Sequence, residues 1–258
     1  MGTLYIVATP IGNLKDITLR ALEILKEADI ILCEDTRHTA KLLNYYGISK
    51  PLASYFQHSK LAKMEYIIEQ LQRGKNLALV TDAGTPGISD PGGKLVELIL
   101  KSSLPSDEGR VGRGEDKINC NNTSPQSPPQ LRRGGAKIVP IPGACAVITA
   151  LSVSGFPTDK FIFMGFPPHK KGREKFFKEV AEAKYTAAFY ESVHRILKTL
   201  NQLIKTPNLT DRQIVVCREL TKMYESVYRG TAKEILDMLE KNKSRVKGEF
   251  VVVVNKKD

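Results

Sequence analysis

Short apolar runs alternate with stretches of helical spacing from the first residues onward. Residues 4–8, 30–33, 77–80 and 137–141 are brief, apolar and bounded by turn residues, the pattern of strands buried on both faces. Between them, apolar residues recur every three or four positions. Leu22, Leu25 and Ala28 do so within 18–29, Met64, Ile67, Ile68 and Leu71 within 61–73, and Leu95, Leu98 and Ile99 within 94–100. These segments are predicted helices, joined by a shorter one over 39–46 that Gly47 closes and another over 147–153. Strands and helices in strict alternation predict an α/β unit whose sheet is mostly parallel, with helices on both faces.

The rhythm changes twice. Residues 102–136 contain four prolines, five glycines and almost no apolar periodicity, so they cannot offset their own ordering entropy. They are expected to form a mobile insertion between a helix and the next strand. Gly155-Phe156-Pro157 reads as a joint. Beyond it come predicted strands at 161–165, 186–190, 214–217, 225–228 and 250–254, with helices at 174–183, 193–204 and 231–239. The expected architecture is bilobal: an N-terminal α/β lobe over 1–154 and a C-terminal α+β lobe with a mixed sheet over 155–258.

Charge sharpens this division. The net charge of +11 over 258 residues sits almost wholly in the second half: residues 137–258 hold 22 Lys/Arg against 13 Asp/Glu, whereas 1–101 hold 12 against 11. A basic C-terminal half suits a polyanionic partner, and an ordinary lysine-rich solvated surface accounts for the same residues. The four cysteines (Cys33, Cys120, Cys145 and Cys217) are scattered and lack metal-ligand spacing. No metal is expected. With no apolar stretch of membrane-spanning length and no signal-like start, the expected compartment is the cytoplasm.

Candidate chemistry gathers where predicted strands end. The strand at 77–80 breaks into Asp82-Ala83-Gly84-Thr85-Pro86-Gly87-Ile88-Ser89-Asp90-Pro91, a loop with backbone free to approach a ligand and two carboxylates to hold hydroxyls or a cation. A surface turn in which Ser89 or Asp90 caps the next helix explains the same residues. The strand at 137–141 ends similarly in Pro142-Gly143-Ala144-Cys145-Ala146, where small side chains allow a flat ring or a neighbouring backbone to come near. After the strand at 30–33, Glu34-Asp35-Thr36-Arg37-His38 offers Arg37 to a phosphate with Asp35 holding it, a role compatible with Asp35 or Thr36 capping a helix.

Taken in order, Thr9-Pro10-Ile11-Gly12-Asn13-Leu14, Glu34-Asp35-Thr36-Arg37, Asp82-Ala83-Gly84-Thr85-Pro86, Pro142-Gly143-Ala144, Tyr190-Glu191-Ser192-Val193-His194-Arg195, Arg218-Glu219-Leu220-Thr221-Lys222 and Lys247-Gly248-Glu249 resemble the tetrapyrrole (corrin/porphyrin) methylase superfamily. More closely, they resemble its branch of small-subunit ribosomal RNA 2′-O-methyltransferases. The resemblance spans nearly the whole chain except 102–136. It implies S-adenosylmethionine held in a cleft between two lobes, and methylation of a cytidine ribose 2′-hydroxyl in the decoding region of 16S rRNA. It also implies a homodimer. Tetrapyrrole-directed members carry Gly-Gly-Asp-Pro where this chain has Ala83-Gly84-Thr85-Pro86, the form typical of the RNA-directed branch. Carried over by motif, the cofactor would rest on Asp82, Ala83, Gly84, Thr85 and Pro86, with Ile88, Pro10, Ala144, Cys145 and Ala146 completing the walls.

Methyl transfer from a sulfonium to a ribose hydroxyl asks the protein to orient the partners and exclude water. A neutral hydroxyl is a poor nucleophile, so a base, or a cation beside the forming alkoxide, helps. Lys222 or Lys247 is the expected assistant, with Glu219 or Glu249 orienting it; Glu191 could instead order the cofactor or the cytidine. A structural ion pair accounts for each of these charges singly. Lys170, Lys171, Arg173 and Arg195 are the phosphate candidates, with Tyr190 or Phe166 as stacking faces. His38 and His194 flank predicted helix starts and read as surface or cap residues. A tetrapyrrole methylase and a non-enzymatic RNA-binding assembly protein remain the competing readings.

Overall fold

The computed structural model describes residues 1–55, 61–90, 92–102, 136–241 and 246–257. The expected insertion therefore lies, over 103–135, outside the described residues. The chain forms two compact units, one of Met1–Val7, Leu19–Asp82 and Pro86–Ile141, the other of Ala8–Thr18, Ala83–Thr85 and Pro142–Asp258. Segments N-terminal to Gly155 thus belong to the second unit as well as the first.

The first unit holds a five-stranded sheet of β1 (Thr3–Val7), β2 (Ile30–Cys33), β3 (Leu52–Ser54), β4 (Leu77–Leu79) and β5 (Lys137–Ile141), in the order β3-β2-β4-β1-β5. Every pairing in it is parallel, so "mostly parallel" understates the sheet. Its helices are α1 (Leu19–Glu27), α2 (Thr36–Tyr45), α3 (Leu61–Gln72) and α4 (Gly92–Ser102). Leu4, Leu32, Leu77 and Leu79 of the strands pack with Ile67 and Leu71 of α3 and Leu95 and Ile99 of α4. From β2 the chain runs to β3, away from β4; from β4 it runs the opposite way, toward β5, past β1. Neighbouring strands whose continuations diverge mark the switch point at which ligands bind in open parallel sheets. On topology alone, the loops after β2 and β4 are where a ligand belongs.

The second unit is built on β6 (Phe161–Phe163), β7 (Thr186–Ser192), β8 (Gln213–Arg218), β9 (Ser226–Thr231) and β10 (Glu249–Val254), in the order β6-β7-β10-β8-β9. Only β6 and β7 pair in parallel; the other pairings are antiparallel, which gives the expected mixed sheet. Strand residues alternate between two apolar layers, as a two-residue period requires. Phe189, Val216, Phe250, Val252 and Val254 pack with α6 (Arg173–Glu182), α7 (Ile196–Lys205) and α8 (Ala232–Glu240). Ala188, Val215, Cys217, Val251 and Val253 face the other way, onto Val147, Ala150 and Leu151 of α5 (Ala146–Ser154) and onto Ile11.

Helix α8 starts in a capping box: Thr231 Oγ1 accepts from the Glu234 amide at 3.3 Å, and Glu234 Oε2 accepts from the Thr231 amide at 2.7 Å. Thr231→Ala removes half of that exchange and is expected to lower stability by about 1 kcal/mol, read as a shifted urea midpoint at unchanged slope.

Candidate functional site

In the second unit, three loops converge on Ile11. The backbones of Thr9 and Gly84 bond in both directions, Thr9 N to Gly84 O at 2.9 Å and Gly84 N to Thr9 O at 3.1 Å. Thr85 Oγ1 donates to Ala144 O at 3.0 Å. Gly84 has φ +89°, and a Cβ there would stand 3.4 Å from Ile11 Cγ2 and 3.6 Å from Ala144 O. Glycine is what lets the loop turn left-handed at this close approach. Pro10, Gly84, Thr85, Ala144, Cys145 and Ala146, all expected cofactor residues, are thus drawn into one cluster, with the small side chains of Ala144, Cys145 and Ala146 half-buried. Tyr190 packs with the same cluster, and burial and the neighbouring Cys145 push its phenol up to about 12.

The same loop, through Gly12 and Asn13, meets the turn that carries Lys222. Asn13 N donates to Thr221 Oγ1 at 3.1 Å, and a Cβ on Gly12 would fall 2.4 Å from Lys222 Cγ. Lys222 Nζ donates to Glu219 Oε1 and to Glu249 Oε2, each at 2.9 Å. Glu219 Oε1 also accepts from the Glu249 amide at 2.9 Å, while the Glu219 amide donates to the Glu249 carbonyl at 2.9 Å. Burial alone would lower the Lys222 value, but the bonds to both carboxylates carry it above the usual lysine range. Burial alone would raise Glu219; the Glu249 amide and Lys222 together bring it below the usual carboxylate range. Both groups are therefore held ionised. Glu219 and Thr221 have φ +51° and +66°, left-handed backbone at two non-glycine residues of one turn. Each costs about 1–3 kcal/mol, and strain of this kind clusters at functional sites. Thr221 escaped the sequence reading because nothing in the motif distinguishes its hydroxyl from any other. Lys247 is exposed, and its carbonyl accepts from Arg218 Nε at 2.6 Å.

Glu191, Arg173 and Arg195 sit differently from what their motifs suggest. The Glu191 side chain is fully buried; it accepts from Thr199 Oγ1 at 2.5 Å and lies 3.0 Å from Arg195 Nε and 3.7 Å from Arg173 Nη2. Its carboxylate is occupied within the unit, and the two guanidinium groups, expected at phosphates, turn inward to it. Arg173 is 5% exposed. Lys170 and Lys171 are exposed, and so is Phe166, whose ring meets Tyr190 edge-on at 5.3 Å between centroids.

In the first unit, Asp90 Oδ1 accepts from the amides of Gly87 and Gly92, both at 2.7 Å, which makes it the cap of α4. Asp82 Oδ1 accepts from the Asp35 amide at 3.3 Å, and Thr81 Oγ1 donates to Glu34 Oε1 at 2.5 Å. Burial, then the nearby Asp82 and Asp90, raise the Glu34 carboxyl. Ile88 is exposed and Pro86 buried.

Asp35 both caps α2, accepting from the Arg37 amide at 2.8 Å, and pairs with the Arg37 guanidinium, also at 2.8 Å. The cap explains why α2 starts at Thr36 rather than at 39. These bonds hold the Asp35 carboxyl down at about 2. A depressed carboxyl contributes stability above its unfolded value and loses it as pH falls through the folded one. Asparagine caps equally well, so Asp35→Asn isolates the charge. The wild-type advantage over this variant is expected to be present at neutral pH and to vanish between about pH 4 and pH 2 in acid-unfolding curves.

The tetrapyrrole (corrin/porphyrin) methylase family model matches residues 3–105 and 130–236. Proteins called ribosomal RNA small subunit methyltransferase I are similar throughout. That of Haemophilus influenzae is 42% identical over 99% of this chain and 79% of its own length, that of Escherichia coli O157:H7 41% over 98% and 77%, and that of Thermotoga maritima 38% over all of both. Among solved structures, cobalt precorrin-4 methyltransferase superposes with a TM-score of 0.62 at 19% identity, covering 98% of this chain and 94% of that one. Uroporphyrin-III C-methyltransferase from Thermus thermophilus, complexed with S-adenosyl homocysteine, gives 0.60 at 14%, covering 98% and 97%. The fold is common to all of these, and the chain belongs to the tetrapyrrole (corrin/porphyrin) methylase family.

Proposed function

We propose that the protein transfers the methyl group of S-adenosylmethionine to the 2′-hydroxyl of a cytidine ribose in the decoding region of 16S rRNA. The observation that carries this reading is the convergence on Ile11 and Gly12: small-residue loops suited to a flat cofactor and a lysine clamped between two carboxylates lie along one segment of the second unit. Relatives that match this chain at 38–42% identity are called small-subunit ribosomal RNA methyltransferases, and a fold neighbour was crystallised with S-adenosyl homocysteine.

The left-handed turn at Gly84 lets its loop close onto Ile11 and the Ala144 carbonyl, and the small, half-buried side chains at 144–146 suit the close approach of an adenosyl moiety. Pro10, Ala83, Gly84, Thr85, Ala144, Cys145 and Ala146 would hold it within the second unit. When bound, S-adenosylmethionine supplies a methyl group already activated on sulfur. Lys222 stays an ammonium ion, so it cannot take a proton; it stabilises the oxygen as negative charge develops there. Glu219 fixes the ammonium, and the exposed Glu249 receives the hydroxyl proton. Lys170, Lys171 and Arg37 contact phosphates. The protein works in the cytoplasm as a homodimer, a state supported by Phe161 and Ile162, exposed on the edge strand β6.

The test offers labelled S-adenosylmethionine with isolated small subunits, deproteinised small-subunit RNA and uroporphyrinogen. Label at one cytidine 2′-oxygen of the RNA is the expected result. Label on the macrocycle, or on none of the three with folded protein, overturns the reading.

A further inference from the structure

Arg173 and Arg195 share more than Glu191. Arg195 Nη1 donates to the Pro167 carbonyl at 2.9 Å, and Arg173 Nη1 to the Pro168 carbonyl at 3.2 Å. Two guanidinium forks, that of Arg173 buried and that of Arg195 half-buried, thus grip successive carbonyls of one short loop. Its ends are tied independently: the Tyr190 amide donates to Gly165 O at 2.8 Å, and the Arg173 amide to Lys170 O at 3.3 Å. Pro167 and Pro168 have ring-fixed φ, so few torsions are left between the ties. This rigid segment presents Phe166, 53% exposed, and the exposed Lys170 and Lys171.

Stability alone is a poor reason for such a cluster. Buried ion pairs are often matched or surpassed by apolar residues of similar volume. Here two arginines answer to one carboxylate, and Arg173 Nε, buried, has no hydrogen-bond partner. Burial also draws the Arg173 value down. Apolar replacements could fill the space, but they could not direct planar donors at two neighbouring carbonyls. Thr199 completes the geometry: its hydroxyl donates to Glu191 Oε2 at 2.5 Å and accepts from Arg173 Nη2 at 2.6 Å.

We propose that Glu191, acting through Arg173 and Arg195, is a positioning residue that sets the loop 165–172 so that Lys170 and Lys171 meet neighbouring RNA phosphates while Phe166 lies against a base. This deepens the ribosomal RNA reading and rests on it. Charge alone would not need a fixed loop; a cation pair at set spacing beside an aromatic face does.

Binding of the full chain to deproteinised small-subunit RNA, measured across salt concentrations, tests it. Lys170→Ala with Lys171→Ala is expected to flatten the log–log salt slope by about 1.4, the value for two phosphates on a single strand. Glu191→Gln removes no cation, yet is expected to flatten it similarly, with no further change when the two lysine substitutions are added. Its KM for RNA rises more than its kcat falls, and its affinity for S-adenosylmethionine stays at the wild-type value. Arg195→Lys keeps the charge, loses the fork and gives the same signature, which covers the case in which Glu191→Gln folds poorly. A wild-type slope in Glu191→Gln and Arg195→Lys, whatever their thermal stability, overturns the positioning role. A wild-type slope in the double lysine variant overturns the loop as an RNA contact while leaving the enzyme reading intact. No salt-dependent RNA binding by the wild type overturns the loop's role as well, and the enzyme reading then stands or falls by labelling of the isolated small subunits.

Discussion

Lys222→Ala is expected to lower turnover by about 10²–10³-fold, the loss seen when one preorganised donor to a developing oxyanion is removed. Affinity for S-adenosylmethionine and the circular dichroism spectrum should stay unchanged, because the lysine's polar contacts run to Glu219 and Glu249. Those two carboxylates make the ammonium persistent: the activity it supports should survive to alkaline pH and fail only above the ordinary lysine value of 10.5. The sign follows from the shift. A raised lysine holds its proton further into the alkaline range, and the assisted reaction is lost as pH passes the raised value. Lys247→Ala is the matched comparison, since that exposed side chain lacks the double clamp, and its effect should be far smaller. Wild-type turnover in Lys222→Ala would remove this residue from the chemistry.

The comparison between the two lysines also indicates how much of the site a sequence can carry. Both stand in recognisable motifs, but only strand pairing separates them. Phe250 lies opposite Arg218 in the β8–β10 ladder, which brings Glu249 within reach of Lys222, 27 residues earlier. No local pattern encodes that. Strands β1, β2, β4, β5 and β10 were legible because each is an apolar run bounded by turns. Leu52–Ser54 was missed: three half-buried residues at the edge of a sheet make no run at all. Helix α7 begins at Ile196, three residues later than its apolar spacing suggests, because β7 continues through Ser192 and a turn follows, with the Arg195 amide donating to Ser192 O at 3.0 Å. Arg173 and Arg195 were read as phosphate contacts because charge is visible in a sequence and burial is not. The spacing of Glu191, Arg195 and Thr199 at four-residue intervals was the signal available. Strand β7 runs through Ser192, so these three residues do not share one helical face and the spacing carries no helical signal.

Gly84→Val carries the second large effect, and it tests the cofactor side independently of the lysine. At φ +89° a β-branched residue is strained by about 1–3 kcal/mol. The new side chain also starts from a Cβ already in contact with Ile11 and the Ala144 carbonyl. The reciprocal Thr9–Gly84 bonds are the element that can yield, because the sheets and helical layers of both units do not depend on them. The strain is therefore expressed as displacement of the loop rather than as unfolding. Affinity for S-adenosylmethionine is expected to fall by about 5–150-fold, the same free energy read as a ratio, with helical content retained. Gly84→Ala, which adds the strain without the branch, should fall between wild type and valine. Lys222→Ala should leave this affinity alone, just as Gly84→Val should leave the Lys222 clamp intact. If valine at 84 binds the methyl donor as tightly as glycine does, the loop after β4 does not form the cofactor's seat. The convergence on Ile11 would then need another explanation, even if Lys222 proved essential.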